Sequence, residues 1–214
     1  MKVKCNNCGK IVNVKKSEFV KLNIEETDFK SIYLCLDCRQ KLIGLDKFNW
    51  TVVSQIPNLS EEFIGKYQDK VDWFWISRCQ RLSEEFIEKF KDKVNWNSIS
   101  HYQKLSEQFI EKYADYIIWP FISRYQELSE QFVEKFRDKI SWYDISRYRR
   151  LSEEFIEKFK DKVNWAVISR YQKLSPEFVL KHIDKITEEI FKNPCYKSYP
   201  DSVKLLLRQK FKKV

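Results

Sequence analysis

Four cysteines near the start of the chain have the spacing of metal ligands. Cys5-Asn-Asn-Cys8 and Cys35-Leu-Asp-Cys38 are two C-x-x-C pairs, the second beginning 27 residues after Cys8. Zn²⁺ is a borderline-soft ion that takes thiolates tetrahedrally, and two such pairs close a four-cysteine shell with no position left for a catalytic water. The expected chemistry is therefore structural: one Zn²⁺ held by Cys5, Cys8, Cys35 and Cys38. Two disulfides are the alternative, disfavoured because the opening residues carry no apolar stretch of a secretory signal. Cys79 and Cys195 lie outside the pattern and read as ordinary thiols.

Catalytic chemistry is harder to place. The 214 residues contain only three glycines, Gly9, Gly44 and Gly65, which leaves no glycine-rich loop to cradle a phosphate. The two histidines, His101 and His182, stand far apart and in no triad-like context. Asp69, Asp92, Asp115, Asp138, Asp161 and Asp184 recur at one fixed position, yet no second acid recurs beside them to complete an acid–base pair. They read as capping or inter-helix hydrogen-bonding groups, with Arg78, Arg124, Arg147 and Arg170 as their expected salt-bridge partners. No enzyme and no small-molecule substrate is expected. No apolar run approaches the ~18 residues of a membrane helix, so an intracellular protein off the membrane is expected.

The elements that must position these groups fall into two modules. Ile11–Val14 and Ser31–Leu34 have β-type composition and read as a hairpin between the cysteine pairs, and Arg39–Ile43 reads as the first turns of a helix. Knuckle, hairpin and helix over residues 1–45 resemble a treble-clef zinc finger. From residue 59 the chain repeats every 23 residues, with starts at Leu59, Leu82, Leu105, Leu128, Leu151 and Leu174. The phase is entered earlier, at Asp46–Trp50.

Each repeat predicts two short helices. The first follows Ser60, Ser83, Ser106, Ser129, Ser152 or Ser175 as N-cap, with acids in its first turn, and Pro176 takes the first helical position in the last repeat. The second follows Asp72, Asn95, Ser141 or Asn164, with Ile118 breaking the rule. Trp73, Trp96, Trp119, Trp142 and Trp165 open it, and an Ile follows one turn later. Two such helices cannot bury their own apolar face, so neighbours must stack. The predicted fold is mainly α: an α-solenoid over residues 46–186, a small α+β zinc finger at 1–45, and a basic capping segment at 187–214. In that segment Val203, Leu206, Leu207 and Phe211 form the expected apolar stripe.

The unit Leu-Ser-Glu-Glu-Phe-Ile-Glu-Lys-Phe-Lys-Asp-Lys-Val-Asn-Trp-x-x-Ile-Ser-Arg-Tyr-Gln resembles a tandem repeat of uncharacterised giant-virus and phage proteins. The resemblance spans about residues 46–186. It implies a viral or mobile-element source, and with it a host or defence protein as partner.

Within the repeats, the tryptophans read as core rather than as base-stacking platforms. The two residues after each Trp vary completely: Phe74-Trp75, Asn97-Ser98, Pro120-Phe121, Tyr143-Asp144 and Ala166-Val167. They are expected to share an outward face with the Arg position. Phe74, Trp75, Arg78, Phe121, Arg124, Tyr143, Arg147 and Arg170 are the candidate partner-binding residues, because fixed positions maintain a stack and free ones can carry recognition. The rival reading is nucleic-acid binding, with the finger, the Arg row and the C-terminal helix gripping phosphates. The formal charge of +9 invites it, but +4 lies in residues 1–58, +1 in 59–173 and +4 in 174–214. The long array is nearly neutral, which favours the protein-binding reading.

Overall fold

The computed structural model describes residues 2–4, 11–13, 43–44, 47–48 and 50–212. The four zinc-ligand candidates and residues 31–34 lie outside them. The chain forms two compact blocks, Met1–Ile117 and Ile118–Val214.

At the N-terminal end, Ile11–Asn13 is a strand, but its partner is Lys2–Lys4, in antiparallel register with Val3 opposite Val12. Ile43 departs from its expected place in a helix. Ile43–Gly44 pairs antiparallel with Lys47–Phe48, with Ile43 opposite Phe48. A β-branched Ile and an aromatic Phe opposite each other suit a ladder better than a helix end.

From Trp50 onward the array is helical. The half-repeat contributes Trp50–Ser54, and the first block continues with Glu61–Lys66, Trp73–Cys79, Glu84–Lys89, Trp96–Tyr102 and Glu107–Lys112. The second block holds Trp119–Tyr125, Glu130–Lys135, Trp142–Tyr148, Glu153–Lys158, Trp165–Tyr171 and Pro176–Lys181. The caps are those the sequence predicts. Ser60, Ser83, Ser106, Ser129, Ser152 and Ser175 each accept the N–H three residues on. Asp72, Asn95, Ser141 and Asn164 cap the second helices, while Ile118 gives no side-chain cap and Pro120 fixes the first turn there.

Second helices pack on second helices of neighbouring repeats. In the first block Trp50–Ser54 meets Trp73–Cys79, which meets Trp96–Tyr102. In the second, Trp119–Tyr125, Trp142–Tyr148 and Trp165–Tyr171 follow one another in the same way. The shared Ile of each second helix, Ile76, Ile99, Ile122, Ile145 or Ile168, is 0% exposed. Each Trp is half-buried and packs on two aromatics further along: Trp142 lies 6.3 Å from Phe155 and 5.1 Å from Phe159, ring centre to ring centre. Its indole N–H reaches Arg137 O at 2.9 Å. This solenoid-like, i to i+2 packing is what short helices with one apolar face require.

The last repeat outlasts its sequence pattern. Its second helix is a 3₁₀ segment, Glu188–Lys192, packed on Trp165–Tyr171, and a further 3₁₀ segment, Pro194–Ser198, leads to the helix Asp201–Lys210. His182 stands where other repeats carry Phe or Tyr, stacked on Trp165 and Phe178. Lys181 and His182 both hold Glu157, which brings its carboxyl down to about 2. The C-terminal helix buries Val203 and Leu207 and half-buries Phe211, but Leu206 is 45% exposed. The expected stripe is thus narrower by one residue, with Val203, Leu207 and Phe211, spaced four apart, turned inward. Lys210 reaches back to the carbonyls of Ile183, Asp184 and Ile186, in the stretch that follows the helix Pro176–Lys181, and so ties the C-terminal helix to the last repeat. No helix among the described residues is long and apolar enough to cross a membrane.

Candidate functional site

The residue directly after each Trp is outward in every repeat: Phe74, Asn97, Pro120, Tyr143 and Ala166 are all exposed. The next residue is not. Ser98 and Val167 are buried, and Trp75, Phe121 and Asp144 are half-buried. One step along a helix turns a side chain by about 100°, enough to carry it from the outward face to the flank against the neighbouring helix. The variable face is therefore one position wide per repeat. Trp75 and Phe121 serve as flanks: Trp75 meets Phe74 edge-on at 5.2 Å, and Phe121 lies 6.2 Å from Tyr125.

The row of arginines lies beside this face, but its partners are not the aspartates. Arg124 stands 5.3 Å from the Tyr125 ring centre and 5.1 Å from that of Tyr148. Arg147 stands 5.3 Å from Tyr148 and 4.9 Å from Tyr171. Arg170 lies 5.2 Å from Tyr171 and ion-pairs Glu189 at 3.0 Å. In the first block Arg78 lies 5.0 Å from Tyr102. Guanidinium planes thus alternate with tyrosine rings, a favourable cation–π arrangement, and the rings of Tyr102, Tyr125, Tyr148 and Tyr171 remain exposed.

The aspartates go elsewhere. Asp69 pairs with Lys93 at 2.7 Å, Asp138 with Lys162 at 2.7 Å and Asp161 with Lys185 at 3.7 Å. Each Asp sits in the turn after a first helix, and stacking sets the same turn of the next repeat against it, with its Lys. The arginines occupy the second-helix side, where stacking brings up the next repeat's Tyr instead.

Two polar positions that hold the face in place went unread in the sequence. Gln103 donates to Ser77 O and Gln80 O at 2.9 and 2.7 Å, and its side-chain oxygen accepts Leu82 N–H at 3.0 Å. Gln80 and Gln172 repeat this pattern. Asn193, one carbon shorter, makes both donations in the last repeat. The Ser after each Ile is the second position. Ser54, Ser77, Ser123, Ser146 and Ser169 each accept the N–H of a residue 18 further on, at the start of the following second helix. In addition, Glu61, Glu84, Glu130 and Glu153 each grip the capping Ser of the next repeat at both N–H and Oγ. Recurrence of a polar residue at a phase shared with buried Ile is the signal that identifies the first two.

One seam departs from this. Arg149 takes the Gln position and donates to Ser123 O and Arg124 O, at 2.7 Å to the latter. A guanidinium has no acceptor, so it has nothing to offer Leu128 N–H. Burial pushes the Arg149 pKa down from its usual value. Arg149→Gln is therefore expected to gain about 1 kcal/mol, read as a higher urea midpoint, by restoring an accepted N–H and removing a partly desolvated cation.

Arg149 also lines a groove of about 1020 Å³ in the second block, with Arg147, Tyr148, Arg150, Tyr171 and Lys173. Arg147 connects it to the variable face, donating to the Tyr143 hydroxyl at 3.1 Å. Of the thiols, Cys79 is exposed and Cys195 half-buried, and neither is disulfide-bonded. Among the described residues no group of three His, Cys, Asp or Glu side chains could hold a metal ion. The zinc-ligand candidates Cys5, Cys8, Cys35 and Cys38 lie outside those residues. No family model, no curated protein and no solved structure matches this chain.

Proposed function

We propose that the chain is a non-enzymatic protein-binding repeat protein, working inside a virus- or phage-infected cell, that engages a host or defence protein through its second-helix face. The observation that carries this reading is the contrast between neighbouring positions. Trp, Ile, Ser and Gln recur because each is bonded or packed against a neighbouring repeat, whereas the exposed residue between them changes from Phe74 to Asn97, Pro120, Tyr143 and Ala166. Aromatic side chains at the free positions, with arginines beside them, are the residue types that dominate protein interfaces. Affinity purification from a host lysate, run with and without nuclease, should recover a nuclease-resistant partner. Phe74→Ala together with Tyr143→Ala should release it. Retention of every partner by that double variant removes this face as the interface, and a partner lost on nuclease treatment turns the reading to nucleic acid.

The N-terminal module is proposed as a structural cap holding one Zn²⁺ through Cys5, Cys8, Cys35 and Cys38. The doubled C-x-x-C spacing supports it. Metal analysis should find about one zinc per chain, and Cys35→Ser should abolish it and expose residues 1–45 to proteolysis. Zinc-free protein that resists proteolysis there refutes the cap.

A further inference from the structure

The groove beside the variable face is lined by more cations than acids, and Glu127 acts on its Arg149 electrostatically without forming an ion pair. Elsewhere in the array, lysines of the first helices and of the turns after them are spent on carboxylates of the preceding repeat: Lys112 on Glu88, Lys158 on Glu134, Lys162 on Asp138 and Lys181 on Glu157. Arg147, Arg149, Arg150 and Lys173, which line the groove, make no ion pair among the described residues. Two acids share the groove, Glu153 and Glu154, and Glu153 is already committed to the Ser175 N–H and Oγ. Arg149 is the second observation. It occupies a position that favours Gln, and it forgoes an accepted hydrogen bond to do so. A local rule broken at a cost is where function is to be sought.

Resting on the protein-binding reading above, we infer that this groove takes an extended acidic segment of the partner, its carboxylates held by Arg147, Arg149, Arg150 and Lys173. Guanidinium edges match carboxylates in paired hydrogen bonds. Neighbouring packed helices lie roughly 10 Å apart, and an extended chain advances about 3.3 Å per residue, so acids at every third residue meet successive rungs such as Arg124 and Arg147. A single-stranded nucleic acid is the poorer occupant. Tyr148 and Tyr171 each already carry two guanidinium groups over their rings, so bases lack the bare aromatic platform that strand binding uses.

The test is fluorescence anisotropy on the full chain with three labelled probes: a Ser/Gly peptide bearing Glu at every third residue, its Gln counterpart, and oligothymidylate. The Glu peptide should bind, more weakly as salt rises, and the Gln peptide should not. Arg149→Gln combined with Arg150→Gln should weaken the Glu peptide about tenfold or more. Because Arg149→Gln is expected to stabilise the fold, a thermal melt separates this loss from unfolding. Equal affinity for the Glu and Gln peptides, no binding of the Glu peptide, or undiminished binding by the double variant overturns the proposal. Tighter binding of oligothymidylate through the same cations overturns it in favour of nucleic acid. If the double variant keeps every partner that Tyr143→Ala releases, the groove is excluded while the docking face stands.

Discussion

Gln103→Leu is expected to cost about 3 kcal/mol of folding stability, although it removes almost no volume. The side chain is 6% exposed and makes three hydrogen bonds, two to the carbonyls of Ser77 and Gln80 and one from Leu82 N–H. Leucine fills the space but leaves all three backbone groups without their partner. Each orphaned buried group costs about 1–3 kcal/mol, with the lower end applying where water can enter. An array of repeats does not guarantee all-or-none unfolding, so the sharper readout is local. Amide exchange should accelerate at Leu82 and across Ser77–Leu82, well before the far end of the first block responds. The substitution Lys91→Gln, at an exposed position of the same block, is the control and should stay within about 0.5 kcal/mol. A Gln103→Leu protein as stable as the parent would mean that the glutamine seam merely tolerates polarity.

That seam also marks how far the sequence could be read. Helices, caps and core were legible because their rules are local: serine caps before acids, a period of three to four, and an Ile one turn after each Trp. The half-repeat at Trp50 was legible for the same reason. Errors arose where a residue's partner lies one repeat away. Asp69 and Arg78 are near in sequence and opposite in charge, yet stacking sends one to Lys93 and the other to Tyr102. A 23-residue offset places like positions side by side, so the partner of a side chain is found at the same depth in the next repeat. Gln103 and Ser77 were passed over because a polar residue in a helical pattern reads as solvent-facing unless its phase is compared with that of the buried Ile. Width was the other miss. Trp75 and Phe121 follow an exposed position by one residue, and only the crossing of neighbouring helices decides that they turn inward.

Trp142→Ala is expected to cost about 3–4 kcal/mol, and the result separates two roles for the repeated tryptophans. As core, Trp142 loses its contacts with Phe155 and Phe159, 6.3 and 5.1 Å away, and Arg137 O loses the indole donor at 2.9 Å. Removing a large aromatic from a packed site commonly costs 3–5 kcal/mol, reduced here because the ring is half-buried. Trp142→Phe keeps much of the apolar contact and forfeits the N–H, so it should cost only about 1 kcal/mol. As a platform for a bound base or side chain, the same ring would be dispensable to folding and costly to binding. Urea titration of the two variants decides between these. A graded loss, Ala well below Phe and Phe below the parent, makes the tryptophans the mortar of the stack and leaves recognition to the exposed residue that follows each one.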